Sequence, residues 1–214
     1  MKIEYLGHAC FRITGKSGVS FITDPYTNIG YELSEKYEGD VALISHEHYD
    51  HAYIDGIKVD EVIKTAGEQQ IKGIKVTGIE SFHDEKGGLL RGKNVIYTLY
   101  IDGIKITHLG DLGEPCREEI IERIGKADVL MLPVGGNYTI DALEAKKYVE
   151  RINPKIAIPM HYKPKDGGID IDGAEKFLSL FKKEEVLFVG SETEITAENI
   201  KDESAKILYM ERKR

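Results

Sequence analysis

The sequence predicts a layered α/β fold, and three observations carry that prediction. Short runs rich in β-branched residues, bounded by Gly, Asp or Pro, recur along the 214 residues. Some of them, "VALIS", "VLML" and "IAIPM", are apolar at every position, as expected of strands covered on both faces. The first hundred residues are mostly strand, and the remainder alternates strand with amphipathic helix, which favours layers over a barrel with one wet face.

The elements follow in order. "MKIEYLGHACFRIT" alternates polar and apolar residues where an export signal needs an unbroken apolar block. Strands are predicted in "GVSFITDP", "DVALISH", "IKVTGIESF" and "NVIYTLYIDGIKITHLGD", and the Asp102-Gly103 pair inside the last predicts a hairpin. Further strands are expected in "ADVLMLPVGG", "PKIAIPMH" and "EEVLFVGS". Three helical faces lie between them: Ile120, Ile121 and Ile124; then Ile140, Leu143, Val149 and Ile152; then Ala174, Phe177, Leu178 and Phe181. Thr139 and Asp172 are the expected N-caps of the second and third helices.

A chain of this length buries one good core, so a single domain spanning 1–214 is expected. No run approaches membrane-spanning length, and a cytoplasmic, soluble protein is expected. The net charge of −8 disfavours a nonspecific nucleic-acid surface, which needs an excess of Lys and Arg to displace counterions. Cys10 and Cys116 show no CxxC spacing, so the reading is a buried Cys10, a half-exposed Cys116 and no disulfide. Abundant Lys and Glu with no Trp hint at a thermophile.

The chemistry concentrates in "SHEHYDHA", which holds three of the chain's seven histidines. His46 and His48 are two apart, so in an extended loop both rings can point to one side and grip one ion. Asp50 and His51 follow, where a turn can aim them at a second ion. Asp24, His46, His83, Asp111 and His161 each come just past an apolar run, the place where ligands gather in α/β sheets. Imidazole and carboxylate without thiolate suit Zn, Fe, Mn or Co, and the donor set does not choose among them.

"HEHYDH", together with Asp24, His83, Asp111 in "HLGDLG" and His161 in "PMHY", resembles the metallo-β-lactamase superfamily, in its compact branch of Zn-dependent hydrolases related to the ascorbate-6-phosphate lactonase type. The resemblance implies a four-layer αββα sandwich of two mixed β-sheets flanked by helices. It implies two divalent metal ions, with Zn favoured over Mn or Fe. His46, His48 and His83 would hold the first, and Asp50, His51 and His161 the second. Asp111 would bridge them, and Asp24 would orient a ligand from behind. By the same resemblance, a water ionised between the metals attacks an ester, lactone or phosphodiester, and Asp50 takes up or passes on the proton. A histidine directly after Asp50 and no export signal set β-lactam cleavage aside.

Substrate contacts are less determined. The turn "PVGGNYTID", with Asn137 at its centre, either cradles an anion at a helix start or is a plain strand-to-helix turn. Tyr162 either donates to an oxyanion or packs. Arg91, in the glycine-rich loop "DEKGGLLRGKN" whose composition suggests mobility, either binds an anionic substrate or ties the loop down. His108 is read as core or as support behind the ligands, and His8 as near the site rim and structural. The partner expected is a small molecule, possible homo-oligomers aside, with neither nucleic acid nor membrane. Rival functions are a mononuclear-iron oxidoreductase of the same fold and a metal- or ligand-binding module without turnover.

Overall fold

A computed structural model describes residues 1–200 and 206–213. Its strands are β1 (Lys2–Gly7), β2 (Cys10–Thr14), β3 (Ser20–Thr23), β4 (Tyr37–Glu38), β5 (Val41–Leu43), β6 (Ile57–Lys58), β7 (Glu61–Ile63), β8 (Gly67–Ile71), β9 (Ile74–Phe82), β10 (Lys93–Ile101), β11 (Ile104–His108), β12 (Val129–Pro133), β13 (Ile156–Met160), β14 (Val186–Val189), β15 (Glu192–Glu194) and β16 (Lys206–Met210). The helices are α1 (Glu118–Ile124), α2 (Ala142–Ile152) and α3 (Glu175–Leu178).

Two mixed sheets face each other across one large apolar core. One has the order β15-β1-β2-β3-β5-β7, and the other β14-β16-β13-β12-β11-β10-β9-β8. Ile3, Phe11, Phe21 and Leu43 of the first meet Val76, Leu99 and Ile106 of the second in that core. Tyr97 crosses the gap: its hydroxyl donates to the carbonyls of Ile44 and Ile63, at 3.1 and 3.2 Å. The α/β sandwich is therefore the observed architecture. Helices α1 and α2 pack on the eight-stranded sheet. Behind the other sheet, Tyr26, Ile29, Tyr37 and Ile57 build a smaller core with Leu6, Cys10 and Ile22, under loops and the two-stranded β4–β6 ribbon.

The topology aims several strand ends at one rim. In the first sheet β1 and β3 both run antiparallel to β2, while β5 runs parallel to β3. In the second, β9 and β11 run antiparallel to β10, and β12 and β13 continue parallel to β11. The carboxyl ends of β1, β3 and β5 thus share one direction, as do those of β9, β11 and β13. The runs that are apolar throughout explain the arrangement, because β5 and β12 are buried at every residue and fit only central positions.

Local chemistry agrees at the predicted hairpin. Asp102 (φ +54°) and Gly103 (φ +79°) join β10 to β11 in the turn that matches strand twist. The predicted caps are displaced. Asp141, not Thr139, caps α2, its carboxylate accepting from the Glu144 amide at 2.8 Å. Helix α3 starts after Ala174, and the Asp172 carboxylate pairs instead with the Lys176 ammonium at 2.7 Å. Leu143, assigned to the apolar face of the second helix, is exposed, because it lies about two and a half turns from Ile152 and so on the opposite face of α2. Cys10 is buried, Cys116 is half-buried, and both are free. Among the described residues no helix is long and apolar enough to cross a membrane.

Candidate metal centre

Asp24 follows β3 directly, in a left-handed backbone conformation (φ +37°) that turns the chain at the rim. Its carboxylate is wholly buried and fully used. Oδ1 accepts from the Ser45 amide at 2.7 Å, and Oδ2 accepts from the Ser45 hydroxyl at 2.7 Å and from His51 Nδ1 at 3.1 Å. Because the Ser45 hydroxyl spends its one hydrogen on Asp24, its contact with His46 Nδ1 at 2.9 Å has the imidazole as donor. His46 and His51 therefore each carry a hydrogen on Nδ1, which leaves each Nε2 lone pair for the site. One carboxylate orients a histidine from each half of "HEHYDH", as outer carboxylates do at metal centres.

Asp111 lies past β11, behind Gly110 at φ +56°. A side chain at Gly110 would collide with Asn94 and Ser45, so the tight turn needs glycine. Asn94, held by Ser81 and the Leu109 carbonyl, accepts from the Asp111 amide at 2.9 Å and fixes the turn. Asp111 Oδ2 then lies 3.1 Å from His51 Nε2, 3.2 Å from His83 Nε2 and 3.1 Å from His161 Nε2. His83 directly follows β9, and His161 directly follows β13 in a left-handed conformation (φ +49°). On the open side, His46 Nε2 and His48 Nδ1 approach to 3.0 Å.

These donors converge without satisfying one another. His51 Nε2, His161 Nε2 and Asp111 Oδ1 are buried and lack a hydrogen-bond partner. Unpaired buried polar atoms are costly, and their clustering here is what a bound cation would explain. Three sets of donor atoms fall within coordinating reach: His46, His48 and His83; His8, Asp50, His51 and His161; and His46, His51 and Asp111. The residues present fit a metal centre.

Electrostatics prepare the same atoms. Burial pushes His8 and His46 down to about 3, and His48 in the same direction, so these imidazoles are neutral with free lone pairs. At His51 burial opposes a charge, but the Asp111 and Asp24 carboxylates outweigh it and hold the ring well above its usual value. A cation there would replace that proton. Burial alone would raise Asp24, Asp50 and Asp111; instead His51, His8 and the His161–His51 pair, respectively, pull them below the ordinary carboxylate range. The cluster thus combines ionised carboxylates with the neutral imidazoles of His8, His46 and His48.

The remaining candidates lie away from these donors or are engaged elsewhere. Tyr162 is buried and donates to the Met210 carbonyl at 2.9 Å, so it packs and does not serve an oxyanion. His108 is core: Nε2 donates to the Ala9 carbonyl at 2.9 Å, and Nδ1 accepts from the Gly110 amide at 3.1 Å. Asn137 (φ +61°) donates to the Asp170 carbonyl at 2.7 Å. At the start of α2 the Asp141 carboxylate accepts from the Glu144 amide, as in a plain strand-to-helix turn. Arg91 donates to the Asn137 carbonyl at 3.3 Å and lies over the Tyr138 ring, tying its loop to that turn. The glycine-rich loop itself is held by Asp84, whose carboxylate accepts from the amides of Lys86, Gly88, Leu90 and Arg91 at 2.8–2.9 Å. Sequence reasoning passed over Ser45, Asn94 and Asp84; a polar residue adjoining a candidate ligand or opening an apolar strand is the signal that would have found them.

A sandwich with strand-end imidazoles and carboxylates gathered at one rim defines a metallohydrolase-type centre, and the comparisons agree. The β-lactamase superfamily domain matches residues 2–161, and the chain belongs to that family, among its metal-dependent hydrolases. It is 30% identical over 189 residues to a UPF0173 metal-dependent hydrolase of Thermoplasma volcanium, covering 76% of this chain and 83% of that one. It is 29% identical to another of Thermococcus onnurineus over 191 residues, covering 76% and 84%. A crystal structure of a candidate Zn-dependent hydrolase of the metallo-β-lactamase superfamily from Thermotoga maritima is 35% identical, with a TM-score of 0.79 over 98% of this chain and 99% of that one.

Proposed function

We propose that the protein is a dinuclear metal-dependent hydrolase that cleaves an ester, lactone or phosphodiester bond of a small anionic substrate in the cytoplasm, with zinc as the favoured cation. The observation that carries this reading is Asp111 Oδ2, faced by three imidazole nitrogens from three different loops at 3.1–3.2 Å, with Oδ1 unpaired. His46, His48 and His83 would hold one ion, Asp50, His51 and His161 the other, and Asp111 would serve both. Bound divalent ions supply an ionised water near neutral pH and polarise the scissile group's oxygen.

The chain's own residues do the rest. Asp24 and Ser45 hold His46 and His51 in the tautomers that face the site. Asp50, half-buried and ionised, would take up a proton and release it to a leaving group. The test is metal content together with turnover. Protein loaded with Zn or Mn is expected to carry two ions per chain and to hydrolyse generic esters, lactones or bis-p-nitrophenyl phosphate. Asp50→Ala should lose about 10²–10⁴-fold in kcat. One iron per chain with redox activity, or no turnover on the whole panel, contradicts the proposal.

A further inference from the structure

One imidazole outside the ligand set implied by the resemblance reaches the cluster. His8 stands in the turn between β1 and β2 and is buried, with φ +55°, directly after Gly7 at φ +117°. Its ring centroid lies 4.2 Å from that of His161 and 4.9 Å from that of His51. Its carbonyl accepts from the His161 amide at 2.8 Å and from the Tyr5 hydroxyl at 3.1 Å, which locks the turn to the end of β13. A side chain at Gly7 would meet the Tyr26 hydroxyl and Arg212, so this conformation needs glycine there.

His8 Nε2 lies 3.3 Å from Asp50 Oδ2. That contact has hydrogen-bond geometry, whereas His51 Nε2 and His161 Nε2 face carboxylate oxygen without it. With its hydrogen on Nε2, the His8 ring donates in that contact. Among the described residues no other side chain hydrogen-bonds Asp50. We propose that His8 is a positioning residue: its Nε2–H donates to Asp50 Oδ2 and holds that carboxylate toward His51 and His161, at the second of two cation positions. The inference rests on the dinuclear reading of the site and adds the residue that aims its most exposed carboxylate.

Chelator competition with Zn, resolving the two binding steps, tests it on the full chain. His8→Leu fills the space without a donor and should weaken one step by about 10–100-fold while leaving the other unchanged. His8→Gln, whose amide N–H can reach the same oxygen, should recover to within about threefold of the native protein. In an Asp50→Ala background His8→Leu should add no further loss. A His8→Gln protein as weak as His8→Leu, or an equal loss with and without Asp50, would overturn the assignment in favour of direct ligation or packing. Two unperturbed steps in His8→Leu would overturn it alone. A native protein that binds a single ion would overturn the dinuclear reading and the role of His8 with it.

Discussion

Asp84 and Asp111 are both buried carboxylates just past strand ends of the same sheet, and their surroundings could hardly differ more. Asp84 accepts four amide hydrogens from its own loop, so both oxygens are saturated. Asp111 takes no amide at its carboxylate. One oxygen is surrounded by imidazole nitrogens and the other is unpaired. Folding completes the hydrogen bonding of the first and leaves that of the second open. A buried carboxylate saturated by backbone amides is a structural part, and one that faces imidazoles with an oxygen left unpaired is a candidate ligand.

Exchanging the two should show that division. Asp111→Ala is expected to lower hydrolysis by at least about 10³-fold and to lose bound metal. The metal-free protein should lose under about 1 kcal/mol, because His51 sheds its extra proton rather than stay charged. Asp84→Ala is expected to reverse the pattern, costing about 2–3 kcal/mol in denaturant unfolding as its amides lose a charged acceptor. Equal stability losses in the two variants would erase the distinction. Asp24→Asn lies between them. It feeds both His46 and His51, so the affinity for both ions should fall, by about 10–100-fold, which a chelator titration measures.

The smallest effect concerns a carboxylate far from the rim. Glu4 receives Arg12 at 2.6 and 2.8 Å and Lys213 at 3.0 Å; burial would raise it, but these cations hold it at about 2. Its folded value lies below its unfolded one. Its contribution is therefore present above the ordinary carboxylate range and is lost as pH falls toward 2. Glu4→Gln should be less stable than the native chain by about 1 kcal/mol at pH 7, and the gap should close on acidification. A gap that widens below pH 4 contradicts the sign.

Much of the rim was legible because its residues obey short-range rules. Apolar runs mark central strands, and the residues just past them, Asp24, His46, His83, Asp111 and His161, fall where ligands gather. What was hidden depends on contacts across the fold. His8 reaches Asp50 from 42 positions away, through a turn that only the packing of β1 beside β2 creates. Tyr162 is adjacent to a ligand in sequence, yet its hydroxyl is claimed by a strand near the end of the chain. The glycines of the loop after His83 suggested freedom, yet one aspartate, Asp84, holds the loop by the amides of Lys86, Gly88, Leu90 and Arg91. The cap of α2 moved by two residues because Asp141 competes better than Thr139 for its start.

The central claim is that this rim holds two cations with Asp111 between them. Anomalous diffraction from crystals grown with Zn tests it most directly. The account predicts two peaks, one enclosed by His46, His48 and His83 and the other by Asp50, His51 and His161, each within about 2.0–2.2 Å of its donors and of an Asp111 oxygen. A single peak at full occupancy in the presence of excess Zn, or peaks away from Asp111, would contradict it.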